Sequence, residues 1–230
     1  MERCTGGREG VAGADAGRRA DCDAHFASDV RDVFDFPHSR TNITKWLEEG
    51  PGQRTDLKHL AKTALFDAIL EGLKLLGTTQ PGDAIYAITD GGENASHATA
   101  VQTKAALLQS GVRVFTFLFA EPPLGDEANK DDFLKMVDDS GGSAFGVAGR
   151  QRPGGTSWQV DFFDDKDTRE KVRACAQGLN ILVRAFWTLE LEAPSSNKAS
   201  KMKLEIVDHE GKMRKDVGVT YPRLLPPVLK

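Results

Sequence analysis

DAIYAITDGGENASHATAVQTKAALLQSGVRVFTFLFA, residues 83–120, holds two apolar runs with a stretch of helical character between them. The first run, DAIYAITD, stops at Asp90-Gly91-Gly92, as a buried parallel strand does where it meets a polar rim. Asn94 or Ser96 can cap the helix that follows. Ala100, Val101, Ala105 and Leu108 give that helix its apolar face, and Gly111 ends it. VRVFTFLFA then reads as a second, nearly continuous apolar strand. Strand, helix and strand in this order predict a parallel βαβ unit.

The same alternation continues outward. Upstream, Leu60, Phe66, Ile69, Leu70, Leu73 and Leu76 recur at helical spacing until Gly77, and Gln80-Pro81-Gly82 makes the turn into the first strand. Downstream, NKDDFLKMVDDS predicts a helix stopped by Gly141-Gly142, SAFGVAG a short strand, and residues from about Asp167 a further helix. Asp167 and Glu170 have capping-box spacing there, and Val172, Cys175, Ala176 and Leu179 line one face. The predicted class is therefore α/β: a doubly wound, mostly parallel, Rossmann-like sheet with helices on both faces. Before it, HFASDVRDVFDF suggests two short strands joined by a turn at Ser28-Asp29. TNITKWLEEG reads as a short helix capped by Thr41 or Asn42. After it, AFWTLELEAP, KMKLEIV and MRKDVGVTY look like antiparallel strands, the last two joined across Gly211, so a small antiparallel β appendage is expected at the C-terminus. The expected division is residues 1–22 disordered, 23–184 the α/β domain, and 185–230 a β-rich extension. The first segment has five glycines, four arginines and too little apolar surface to offset the entropy of ordering.

Composition narrows the possible functions. Thirty Lys plus Arg against 34 Asp plus Glu give a net charge of −4, a balance that argues against a protein coating phosphate backbones, and nucleic acid is excluded as an expected partner. No run approaches the roughly 20 apolar residues of a spanning helix, and the first residues lack the apolar core of a secretory signal. Cys4, Cys22 and Cys175 are too far apart for the usual zinc spacings; free thiols are expected, with a Cys4–Cys22 bridge the alternative. His25, His38, His59, His97 and His209 show no paired metal-ligand spacing.

Two phrases carry the candidate chemistry: TALFDAI at residues 63–69 and ITDGGENAS at residues 88–96. In open α/β sheets, ligands bind beyond the carboxyl ends of the strands, where Asp90 stands beside two glycines. The Thr63 hydroxyl, at a helix start, could share that rim and offer oxygen to a hard cation such as Mg²⁺. The alternative is that Thr63 caps its helix and Asp90-Gly91 makes only a turn.

Together these phrases resemble the second and third metal-site motifs of the von Willebrand factor type A domain. HFASDV, GVRVFTFLFA and GGSAFGV fall in matching order, so the resemblance covers about residues 25 to 190. The nearest variety is the bacterial VWFA-related proteins, in which a β-rich tail follows the domain. The resemblance implies a metal-ion-dependent adhesion site with Thr63 coordinating through its hydroxyl and Asp90 through a water. Gly91, Gly92, Glu93 and Asn94 would form the ligand-binding rim. It also implies a protein partner whose acidic side chain completes the cation's shell.

Two departures weaken that site. The family's first motif, Asp-x-Ser-x-Ser at the end of a first, central strand, occurs nowhere in the chain, and Ala61-Lys62 stand where relatives carry Gly-Gly. Two protein contacts should bind Mg²⁺ weakly or not at all. The expectation is thus a non-enzymatic, adhesion-type protein-binding module with a degenerate metal site, truncated at its first strand. The alternatives are a Mg²⁺-dependent phosphoryl-transfer enzyme of doubly wound fold, with Asp90 as acceptor or ligand, or an inert truncated remnant. The enzyme would need motifs that are missing, among them GxxxxGK[ST], GxGxxG after a strand and GxSxG. Relatives are often secreted or periplasmic; the compartment and oligomeric state stay open.

Overall fold

The computed structural model describes residues 23–26, 29–34, 41–42, 44–45, 62–120, 127–148, 150–151, 158–159, 166–191, 198–217 and 219–227. Residues 1–22, Leu60 and most of TNITKWLEEG lie outside them, although Thr41, Asn42, Thr44 and Lys45 are helical as expected. The described elements are strands β1 (Asp23–Phe26) and β2 (Val30–Phe34), helix α1 (Leu65–Leu76), strand β3 (Ala84–Thr89), helix α2 (Ala100–Ser110), strand β4 (Arg113–Ala120), helix α3 (Glu127–Asp139) and strand β5 (Ser143–Ala148). The two-residue strands β6 (Arg150–Gln151) and β7 (Trp158–Gln159), helix α4 (Lys166–Arg184), and the two-residue strands β8 (Ser200–Lys201) and β9 (Leu224–Leu225) follow.

The fold is mixed α/β. Strands β3, β4 and β5 form a parallel sheet in that order, while β1 and β2 make the expected antiparallel hairpin. Helices cover both faces of the parallel sheet. On one face Leu65, Phe66 and Ile69 of α1, Leu107 of α2, and Phe133, Met136 and Val137 of α3 pack with Ala87 and Val114. These side chains are withdrawn from water, and each full burial contributes about 1.5–3 kcal/mol. On the other face Phe115, Phe117 and Phe145 lie, by strand alternation, toward α4, and Gly178 of α4 approaches the Phe145 ring. Arg113 fastens the end of α4: its guanidinium donates to the Leu182 and Val183 carbonyls and lies over the Phe115 and Phe186 rings at 5.2 and 5.5 Å. Burial first, and Cys175 of α4 second, push the Tyr86 hydroxyl's pKa up.

The α3–β5 turn is the tightest point in the sheet. Ser140 donates to Val137 O and accepts from Val114 N, tying the end of α3 to the start of β4. An added Cβ on Gly142 would come 1.6 Å from Val114 O. Gly141, at φ 82°, lies against Tyr221 and Pro222, and Arg223 N donates to Asp139 O. Arg223 in turn lies 4.2 Å over the Tyr221 ring. The C-terminal segment is therefore docked on this turn, and its expected turn at Gly211 is present, with Val207 bridging Met213.

Several expectations change. α2 begins later, with Thr99 rather than Asn94 or Ser96 as its cap, in a capping box with Gln102. Its buried positions are Thr103 and Leu107, whereas Val101 and Ala105 face water. A threonine can occupy that interior because its hydroxyl donates to Thr99 O at 3.1 Å. β3 is only half buried: Ala87 and Thr89 face the core while Tyr86 and Ile88 are exposed. AFWTLELEAP is not a strand over residues 186–191, and among the described residues the appendage has only the two-residue strands β8 and β9.

Gly142→Ala should lower unfolding free energy by about 4 kcal/mol or more, because the clash is with backbone that cannot turn aside. The urea midpoint measures it; an unchanged midpoint would mean that the turn opens freely.

Candidate functional site

The loop after β3 is built against the start of α1. Gly91 takes φ 83°, a conformation that favours glycine, and its N–H donates to Thr89 Oγ1 at 3.1 Å. Gly92 N donates to Asp90 Oδ1 at 2.8 Å, and a Cβ on Gly92 would crowd that oxygen. Asp90 thus stands exposed at the carboxyl end of β3, with its carboxyl group oriented by the loop that follows.

Thr63 is brought to the same loop. Asn94 N and Ala95 N donate to Thr63 O at 3.1 and 3.2 Å, and Thr63 N donates to Asn94 Oδ1 at 2.8 Å. Thr63 does not cap α1; Ala64 occupies the cap position and offers no side-chain bond. No hydrogen bond among the described residues uses Thr63 Oγ1 or Asp90 Oδ2, so both oxygens are open to another ligand.

Glu93 supplies the missing cap from outside the helix. Glu93 is 6% exposed, and its carboxyl group accepts from Phe66 N at 2.9 Å, Ala95 N at 3.0 Å, Ser96 N at 2.9 Å and Ser96 Oγ at 2.6 Å. A carboxylate here meets both the unpaired N–H groups and the positive end of α1. Of the expected rim, Glu93 is therefore turned inward and Gly91 is buried, while Asp90 and Asn94 face water.

Asp67 answers from the helix side. Its oxygens accept from His97 N and Ala98 N, both at 2.9 Å, and His97 Nδ1 lies at 3.1 Å. Burial pushes the Asp67 carboxyl up, but hydrogen bonds from His97 and Ala98 outweigh it and hold the pKa below the ordinary carboxylate value. Asp67 N donates in turn to Ser96 Oγ at 3.1 Å. Asp67 and Ser96 were not among the expected site residues, although Asp67 sits inside TALFDAI and Ser96 stands three residues after Glu93, the spacing at which side chains on a tight turn meet.

Among the described residues no group of three or more His, Cys, Asp or Glu could hold a metal ion. No described helix is long and apolar enough to cross a membrane. No protein-family model, curated protein or solved structure matches this chain.

Two outcomes test the loop anchor. Glu93→Ala strands buried N–H groups and should cost about 3 kcal/mol in urea unfolding; a loss under about 1 kcal/mol would show that the loop is not held by this group. A carboxyl group whose pKa is depressed by folding stabilises the fold above its unfolded pKa and loses that contribution as pH falls through the folded one. The stability gap between wild type and Asp67→Asn should therefore be full above about pH 5 and narrow below about pH 4. A gap that widens on acidification would reverse the assignment.

Proposed function

We propose that the chain is a non-enzymatic protein-binding module of von Willebrand A type with a degenerate metal-ion-dependent adhesion site. The observation that carries the reading is the convergence of Thr63 and Asp90 on one loop at the carboxyl end of β3, with Thr63 Oγ1 and Asp90 Oδ2 both uncommitted. In this reading a Mg²⁺ ion is held by Thr63 and, through water, by Asp90. The remaining shell is water and an acidic side chain of the protein partner, which is how such a rim would bind without catalysing. Asn94 and the loop glycines shape the rim, and Glu93 keeps it seated on α1. The parallel order of β3, β4 and β5, the preceding hairpin and the two quoted phrases support the family assignment.

With two protein ligands the affinity for Mg²⁺ should be no better than about 1 mM. Calorimetry with Mg²⁺ and Mn²⁺ should give weak saturable heat in the wild type that disappears in Asp90→Ala and falls in Thr63→Ala. Heat unaffected by Asp90→Ala, or no heat, would remove the cation from the reading; turnover of an acyl phosphate would replace the binding module with a phosphoryl-transfer enzyme.

A further inference from the structure

β3 pairs only with β4 among the described residues, and its other edge is unpaired among them. Ala84–Thr89 contains no charge and no proline, the features with which edge strands usually repel pairing. Tyr86 and Ile88 are 41% and 56% exposed on it. The chain also carries a segment with the complementary deficit. Trp187, Leu189 and Leu191 alternate with Thr188 and Glu190 and are 89%, 59% and 56% exposed, a period-two apolar row that joins no sheet among the described residues.

The segment starts where the edge starts. Phe186 is so close to Gly82, two residues ahead of β3, that a Cβ on Gly82 would enter its ring, and Arg113 ties the last carbonyls of α4 to the same place. Topology agrees. The chain moves from β3 to β4 to β5 through α2 and α3 on one face, and α4 returns over the opposite face. A parallel strand laid on β3 after α4 would complete a right-handed crossover, the hand that nearly all such connections take.

We infer that residues 187–191 dock on the free edge of β3 as a fourth, parallel strand, alternating with the undocked arrangement seen here. Docking pairs the outward N–H and C=O groups of β3 and covers apolar side chains on both partners, at the entropic cost of ordering five residues. The inference rests on the sheet edge and the segment, and not on the cation reading.

Residue-resolved hydrogen exchange on the full chain tests it. Amides of residues 187–191, and the β3 amides that do not bond to β4, should exchange about tenfold or more slower than unstructured peptide. Leu189→Pro should return both sets to peptide rates while β4 stays protected. If that variant loses β4 protection, Leu189→Asp, which removes the apolar contact and keeps the backbone donor, is read the same way. Peptide-rate exchange in the wild type overturns docking. So does β3 protection that survives the substitution, which assigns the edge to another segment, or that rises with protein concentration, which assigns it to a second copy.

Discussion

Glu93 and Asp67 reach across one gap in opposite directions. The loop's carboxyl group takes the N-terminal amides of α1, and the helix's carboxyl group takes the amides of the loop ahead of α2. Each element would otherwise present unpaired donors in a partly buried place, where an unmet hydrogen bond costs about 1–3 kcal/mol. This exchange holds the start of α1 to the end of β3, and with it the positions of Thr63 and Asp90. The loop after β3 and the start of α1 keep their relative positions through that junction.

The rest of the sheet is held by close approach. Gly142 lets the β5 turn pass against the Val114 carbonyl, and Gly141 lets the C-terminal segment lie on the same turn. Lys104 of α2 pairs with Asp139 at the end of α3, so the helices on that face are joined by charge as well as by packing. Arg113 does the corresponding work on the other face, using its guanidinium for the carbonyls that α4 leaves unpaired at its end. Among the described residues β4 is paired on both sides and β3 on one.

That asymmetry bears on function. A rim at the carboxyl end of an exposed strand is more accessible than one flanked by strands on both sides, and it has fewer neighbouring oxygens to share a cation. Among the described residues no hydrogen bond uses Thr63 Oγ1 or Asp90 Oδ2.

Much was legible in the chain itself. Apolar runs broken by Gly and polar turns set the order of β3, α2, β4, α3 and β5, because burial period and chain breakers are local properties. Gly77, Gly111 and Gly141 ended their elements as expected. The phrase around Asp90 marked a strand end for the same reason. What could not be read locally was which side chain serves which helix: Asn94 and Ser96 looked like caps for α2 and instead bond at the start of α1, some thirty residues earlier. Glu93 looked like rim and became the cap of a distant helix. The buried face of α2 turned from Val101 and Ala105 to Thr103 and Leu107 because Thr99, held beside the Asp67 anchor, decides where that helix begins. From α1 to β5, residues alone determined which segments are strand or helix and where they stop, since those preferences act over a few positions. Only the tertiary structure decided cap ownership, helix rotation and the pairing of β3 with β4, since each depends on groups far apart in sequence that meet after the sheet has formed.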